Sequence, residues 1–435
     1  MSERLTVRAL TARVDPTALF VAVESRGSDV FWLDAGADAA EGWSFIGTGS
    51  PARFPGEVRV DVAPAAADLP PLRDGWVGWC TYEGGAARAG APVAEDRGDA
   101  WLRIERLAAF DHATGRAWAV AHPDEIDEWA QTVSQPRESI PTPGAVLSAD
   151  APSAFARHEP DEYAALVEQC RGLIRAGIAY QLCLTTRFTV PGVHDAVAAY
   201  LRLRAQTPAH HGGFVRIGGT TLLSASPEQF LHSTGGTIRT RPIKGTRPRD
   251  LAPGRDAALA AELQADPKER AENVMIVDLM RNDLSRVCEP GSIRVDRLWH
   301  VESYPAVHQL VSTVSGRAAP GTTVGALRDA AFPAGSMTGA PKLSAMTRLH
   351  ELENAPRGIY AGCFGYVGAD GSLDLAMVIR SIVIDAEGAT VGAGGGITWR
   401  SVPASEVAEV AIKARAPLAA LGARIPVPWA SDILN

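Results

Sequence analysis

"GIYAGCFGYVGADGSLDLAMVIRSIVIDAEGATVGAGGGITW", residues 358 to 399, decides the fold. Short apolar runs separated by glycine-rich turns read as hairpins of antiparallel strands. A helix then covers "ASEVAEVAIKARAPLAAL", residues 404 to 421. The same alternation extends upstream. "AYQLCLTTRFTV" (179 to 190) and "GGFVRIGGTTLLSASPEQFLHSTGGTIRTRPIKGT" (212 to 246) read as strands and turns. Helices are expected over "EPDEYAALVEQCRGLIRAG" (159 to 177) and, as one long element, over roughly 254 to 286. Long helices interleaved with antiparallel strands indicate an α+β fold rather than a parallel doubly wound sheet.

Residues 1–130 read as a β-rich region. In it "LFVAVESRGSDVFWLDAG" (19 to 36) is expected to be strand, turn, strand. Residues 131–158, rich in Pro, Ser and Ala and without periodicity, read as a linker to a second region, 159–420.

With 42 basic and 50 acidic residues the formal charge is −8, which argues against nucleic acid or an anionic membrane as partner. The N-terminus has no signal-peptide pattern, and no apolar run approaches the ~20 residues of a membrane span. Five scattered cysteines without a CxxC fit a reduced, cytoplasmic setting.

Against that acidic background "RTRPIKGTRPRD" (239 to 250) is a local basic cluster, and reads as an anion site around Lys244. Lys244 is either a reactive amine or a counterion to a bound acid. On the 269–284 helix, Glu272 falls in the apolar stripe with Met275, Ile276 and Leu279. It reaches water or an arginine, or it is a ligand. Glu406, Glu409 and Lys413 form a stripe on the last helix, either as a solvated Glu–Lys pair or as part of a site. Carboxylates on two helices suit Mg²⁺, which takes one or two of them and completes its shell with water and substrate oxygens. Gly394, Gly395 and Gly396 stand ahead of that helix, as a plain turn or as a backbone cradle for an anion. The nucleotide fingerprints fail: "GAGGGI" is not GxGxxG and "GSMTGAPK" is not a Walker loop.

Together these segments resemble the chorismate-utilising enzymes, a family that includes anthranilate, aminodeoxychorismate, isochorismate and salicylate synthases. The resemblance rests on "SASPEQF", "RPIKGTRPR", "AENVMIVDLMRNDLSRV", "YPAVHQLVSTVSG", "GSMTGAPKLSAM", "RGIYAGCFGYVG", "AMVIRSIVI" and "GAGGGITWRSVPASEVAEVAIKARAPL", in family order from about 226 to 417. It implies two face-to-face antiparallel β-sheets flanked by outer helices, with the N-terminal segment intertwined. It implies Mg²⁺ on Glu272 and Glu409. It also implies chorismate carboxylates held by Gly245, Thr246, Tyr360, Arg380, Gly394, Gly395, Gly396 and Lys413.

Within the family, Gln181 and Arg241 stand where the water-adding branch has a lysine and a glutamate. Gln309 stands where anthranilate synthases have a histidine. The resemblance therefore implies the branch that aminates chorismate at C4, giving 4-amino-4-deoxychorismate for 4-aminobenzoate and folate. Lys244 would attack C2, and Glu228 would protonate the departing C4 hydroxyl. The neighbouring arginines are expected to attract the substrate and, with burial, to lower the Lys244 pKa. No cysteine sits in a strand–elbow–helix context, so ammonia is expected from a separate glutaminase subunit. "VES" (Val23, Glu24, Ser25) resembles the family's tryptophan-binding corner, and His210 and His211 are expected on a surface loop. Two rival readings are an anthranilate synthase component and a non-catalytic chorismate-binding regulatory subunit.

Overall fold

The computed structural model describes residues 5–62, 69–135, 151–207, 209–304 and 307–430. Twenty strands are joined by antiparallel ladders into one sheet that folds over on itself. One arm runs through Gln181–Pro191, Gly388–Ile397, Ser381–Asp385, Thr220–Ser226, His211–Ile217 and Val30–Asp34. The other runs through Gly75–Cys80, Cys363–Gly368, Leu373–Met377, Gln229–Thr234, Thr237–Thr240 and Val307–Arg317. The long strands Trp43–Ala52 and Ala100–Asp111 belong to both, with a register shift between Thr48 and Gly49 where the pair bends.

The two arms face each other, as expected, and N-terminal strands are ladder partners of later ones in both. Between them lies a core of Phe31, Phe45, Trp79, Leu102, Val215, Leu222 and Phe364. Contact is close enough that a Cβ on Gly213 would meet the Phe364 ring at 2.5 Å. Helices cover the outer faces. Pro160–Arg175 and Pro403–Ala420 pack on the first arm, and Pro267–Leu284 and Val324–Ala331 on the second.

Three local expectations change. Residues 16–24 form a helix, not a strand. Asp15 caps it, Pro16 opens it, and Leu19, Phe20 and Val23 bury one side at helical spacing. The single helix over 254–286 is two, Pro253–Ala265 and Pro267–Leu284. Pro267 disfavours the helical region for Asp266, whose carboxylate then caps the second helix. The stretch read as a linker holds the end of a helix, Ile126–Ser134, and a short strand, Phe155–Ala156; residues 136–150 of it lie outside the described residues. No helix among the described residues is long and apolar enough to cross a membrane.

Candidate active site

The site forms where the chain passes between the two arms. Glu228 lies at one crossing, between Thr220–Ser226 and Gln229–Thr234. Arg380 lies at the other, between Leu373–Met377 and Ser381–Asp385, with a left-handed φ of 53°. The crossings are tied together: the Met377 N–H donates to the Glu228 carbonyl at 3.0 Å, and the Ala225 N–H to the Arg380 carbonyl at 3.3 Å. A left-handed, non-glycine residue costs on the order of 1 kcal/mol, and is held here by both arms. Arg380 is half-buried near Glu409 and Tyr360, not on the surface as a strand-end arginine would be.

Lys244 projects from Ile243–Pro248, whose ladder is irregular between Ile243 and Thr246. The next segment to meet it is the glycine run. A Cβ on Gly396 would sit 3.3 Å from Lys244 Nζ and 2.4 Å from Gln181 Nε2. One on Gly395 would sit 2.9 Å from Glu406 Oε2. Side chains there would fill the site, so the glycines are a packing requirement. They form neither a turn nor a loop cradle: they belong to the strand Gly388–Ile397, in register with Thr185, Leu184 and Cys183. Lys413 donates to the Gly394 carbonyl at 2.7 Å and pairs with Glu409 at 2.6 Å. Gly245, in a left-handed conformation, faces Glu269, and exposed Thr246 is the ladder partner of buried Gln309.

The electrostatics overturn one expectation. Burial alone would depress Lys244, but Glu272, Cys183, Glu228 and Glu409 surround it and hold its pKa above the ordinary value. The arginines do not form a cationic nest. Arg241 pairs with Glu302, Arg247 with Asp266 and Glu262, and Arg249 with both carboxylate oxygens of Asp256. These three are neutralised by acids 7 to 61 residues away, and no arginine acts on the lysine.

Glu228, 8% exposed, is pushed up to about 7. Burial raises it, against the pull of Lys244, a hydrogen bond from Ser336, the Lys413 charge and the Ile243 N–H. Glu272 is raised by burial, with Glu406 and Glu409 adding repulsion and Lys244 and Lys268 opposing. Burial also acts on Glu409, but Lys413 outweighs it and holds that carboxyl below its usual range. Glu269 and Glu406, both raised by burial, complete an acidic wall that the sequence pattern only half revealed. Crowded carboxylates on two facing helices are the donor set a hard divalent cation relieves. Among the described residues no group of three or more His, Cys, Asp or Glu is set to enclose a metal.

Tyr360 lies over Gly392, where a Cβ would meet the ring at 2.2 Å, and burial keeps its phenol protonated. Its loop is fixed by residues that sequence reasoning did not single out. Glu83 accepts from the N–H of Arg357 at 2.6 Å and of Gly358 at 2.8 Å. Arg357 pairs with Glu353 at 2.7 Å, with both side chains buried, and donates to the carbonyls of Met337 and Cys183. The quoted "RGIY" and "GSMTGAPK" contain these contacts, but nothing local in them predicts the partners.

A cavity of about 750 Å³ lies apart from this site. Leu33, Asp34, Ala35, His210, His211 and Tyr366 help to line it. Val23, Glu24 and Ser25 lie apart from that lining, at the end of a helix, with Glu24 paired to Arg216. His210 is exposed in a turn, as expected, with its ring tilted against Tyr304 at 4.1 Å; His211 is instead half-buried at the start of the strand His211–Ile217 and contacts Asp374 at 3.3 Å.

The chain was compared with known proteins. The model of a chorismate binding enzyme matches residues 38–419. The chain is 38% identical to an aminodeoxychorismate synthase of Streptomyces pristinaespiralis, over 96% of this chain and 65% of that protein. It is 41% identical to an anthranilate synthase component 1 of Streptomyces coelicolor, over 83% of this chain and 75% of that one. It spans about half, 49%, of an aminodeoxychorismate synthase of Streptomyces griseus. The crystal structure of anthranilate synthase component I from Streptococcus pneumoniae TIGR4 superposes with a TM-score of 0.73 at 27% identity, covering 96% of this chain and 92% of that one. The matched span contains both crossings, the glycine strand, Lys244 and the acidic wall, and the folded-over sheet is shared with a solved relative: the chain belongs to the chorismate binding enzyme family.

Proposed function

We propose that the chain aminates chorismate at C4 with ammonia, giving 4-amino-4-deoxychorismate, a precursor of 4-aminobenzoate and so of folate. The observation that carries this reading is the buried carboxyl of Glu228, pushed up to about 7, within electrostatic reach of Lys244. Relatives of that name at 38–44% identity support it.

An ammonium has no lone pair, so Lys244 must lose a proton before it can react. Glu228, when ionised, is a base beside it. One proton moved from Lys244 to Glu228 yields a neutral amine and a neutral acid together. The amine attacks C2, the ring double bonds shift, and the C4 hydroxyl leaves as water with the Glu228 proton. Ammonia then bonds to C4, the bond to Lys244 breaks, and the amine is restored. The sum is chorismate plus ammonia giving product plus water. In this reading Arg380, Tyr360, Thr246 and Lys413, with the backbone of Gly245 and of residues 394 to 396, would hold the substrate's two carboxylates. Glu272 and Glu409 would hold Mg²⁺, which supplies charge stabilisation at a carboxylate.

The five cysteines are buried free thiols, and none is offered as the nucleophile of a glutaminase. We read ammonia as supplied in the cytoplasm by a glutaminase outside these residues, in our reading a separate subunit. The test is incubation of the chain with chorismate, ammonium and Mg²⁺, followed by mass spectrometry. A product that keeps its enolpyruvyl group supports the reading. Anthranilate plus pyruvate overturns it in favour of the anthranilate branch, and an absence of turnover favours a regulatory subunit.

A further inference from the structure

We propose that Gln181 is a positioning residue for Lys244: its amide oxygen accepts an N–H of the neutral amine and aims the nitrogen lone pair at the substrate. This deepens the reading above and rests on it, since it takes Lys244 to be the nucleophile.

Gln181 is 0% exposed, and both ends of its side-chain amide, Nε2 and Oε1, lack a hydrogen-bond partner. An amide taken out of water is normally satisfied inside the protein, because leaving it unpaired is costly. Here the orphaned amide lies against the glycine strand. A Cβ on Gly396 would stand 2.4 Å from Gln181 Nε2 and 3.3 Å from Lys244 Nζ, so amide and amine flank the same backbone position. Lys244 Nζ makes no hydrogen bond or ion pair with a described residue. Two polar groups without partners therefore meet at one glycine, and a side chain there would displace one of them.

The backbone leaves the amide little choice of place. Gln181 opens the strand Gln181–Pro191. On one edge Leu182 and Cys183 are register partners of Ile397 and Gly396; on the other Gln181 and Leu182 are partners of Ala340 and Gly339. The Tyr180 N–H donates to the Ala340 carbonyl at 2.7 Å, and the Cys183 N–H to the Thr338 carbonyl at 2.8 Å. The approach is so close that a Cβ on Gly339 would stand 2.1 Å from the Gln181 carbonyl oxygen. A strand held on both edges is a rigid mount for an acceptor.

The kind of acceptor matters. Glu272, Glu228 and Glu409 act on Lys244 as charges that favour its protonated form. An amide oxygen also accepts an N–H, but it carries no charge and is far too weak a base to keep the proton. It can therefore hold the amine in the one state in which the amine attacks. Its hold on one N–H limits rotation of the amine and leaves the lone pair free.

The experiment uses the full chain with ammonium as nitrogen source and Mg²⁺ present. Product identity in the unaltered chain, by mass spectrometry, tests the underlying reading by itself: absence of 4-amino-4-deoxychorismate overturns that reading, and this proposal with it. With that product made, Gln181→Met, of similar length but without donor or acceptor, should lower kcat by about tenfold. Its KM values for chorismate and for ammonium should stay within about threefold. Gln181→Glu restores an acceptor of the same shape, but a charged one that keeps the lysine protonated, and should not recover kcat. Chorismate binding to both variants, followed by calorimetry without ammonium, should also stay within about threefold. An unchanged kcat in Gln181→Met overturns the proposal. So does a loss that falls on the KM for ammonium, which makes Gln181 a holder of ammonia, or on chorismate affinity in both variants, which makes it a substrate contact or a packing element. Full kcat in Gln181→Glu overturns it as well, because a charged acceptor then serves equally.

Discussion

Lys244 and Glu228 set each other's protonation. The lysine charge pulls the buried carboxyl down to about 7, and the carboxylate helps to hold the lysine above its ordinary value. Neither group would be useful alone. A protonated lysine cannot attack, and a carboxyl with an ordinary pKa would rarely carry a proton at neutrality.

The first prediction concerns Glu228 and pH. It must be ionised to take the proton from Lys244 before returning it to the leaving hydroxyl, so turnover at a fixed concentration of free ammonia should rise as pH rises through about 7. Glu228→Gln should lose roughly 10²- to 10⁴-fold in kcat. The same substitution should stabilise the fold. Below pH 4.5 the carboxyl is protonated folded or unfolded, and contributes no difference. Between 4.5 and about 7 the unfolded chain ionises first, and native stability is lost. Glutamine removes that loss, so above pH 7 the variant should be more stable by on the order of 3 kcal/mol, read from urea unfolding at pH 4 and pH 8.

Lys244 gives the second prediction. Lys244→Ala should abolish turnover with ammonium, and also with glutamine and a partner glutaminase. Lys244→Arg should fail as well, because a guanidinium keeps the charge but stays protonated and is no nucleophile. Steady-state assays of both variants decide between covalent and electrostatic roles. Activity retained in the arginine variant alone means that Lys244 is a counterion. Full activity in the alanine variant ends both roles.

A third prediction addresses the acidic wall. Glu272→Gln and Glu409→Gln should each weaken Mg²⁺ binding by more than about tenfold in calorimetric titration, since even the outer partners of metal ligands cost that much. Glu406→Gln, further from the exposed edge, removes repulsion without removing either ligand. It should leave Mg²⁺ affinity within about threefold. Equal losses in all three would mean that the cation is held by diffuse charge and not by two carboxylates.

How much of this was legible in the sequence depends on the range of each interaction. The hairpins of 358 to 399, the helix over 159 to 177 and the stripe bearing Glu272 follow from local patterns, and the α+β class follows from their alternation. The arginines around Lys244 misled because partners lie on other elements: Arg241 finds Glu302, 61 residues on, and Arg247 finds Asp266, 19 residues on. Without those acids in view, the segment reads as unpaired cation. Nothing local around Arg380 signals its burial, because the crossing that holds it is tied to Ala225 and Glu228, far along the chain. The helix of residues 16–24 was hidden by its apolar, β-branched content, although Asp15 and Pro16 signal its start.

The last prediction tests the support beneath Tyr360. Glu353 accepts from the Thr185 N–H at 2.8 Å, from the Thr185 hydroxyl at 2.9 Å and from Arg357, and both ions are buried. Arg357→Met leaves a buried carboxylate with only the Thr185 donors, at a cost of about 3–5 kcal/mol. Glu353→Leu with Arg357→Met removes both charges, and should recover much of that stability in urea unfolding, because an apolar pair can replace a buried ion pair. Activity should not return with it. The Met337 and Cys183 carbonyls would still lack the Arg357 donor that ties them to the Tyr360 loop. A double variant that regains turnover along with stability would reduce the ion pair to a packing element.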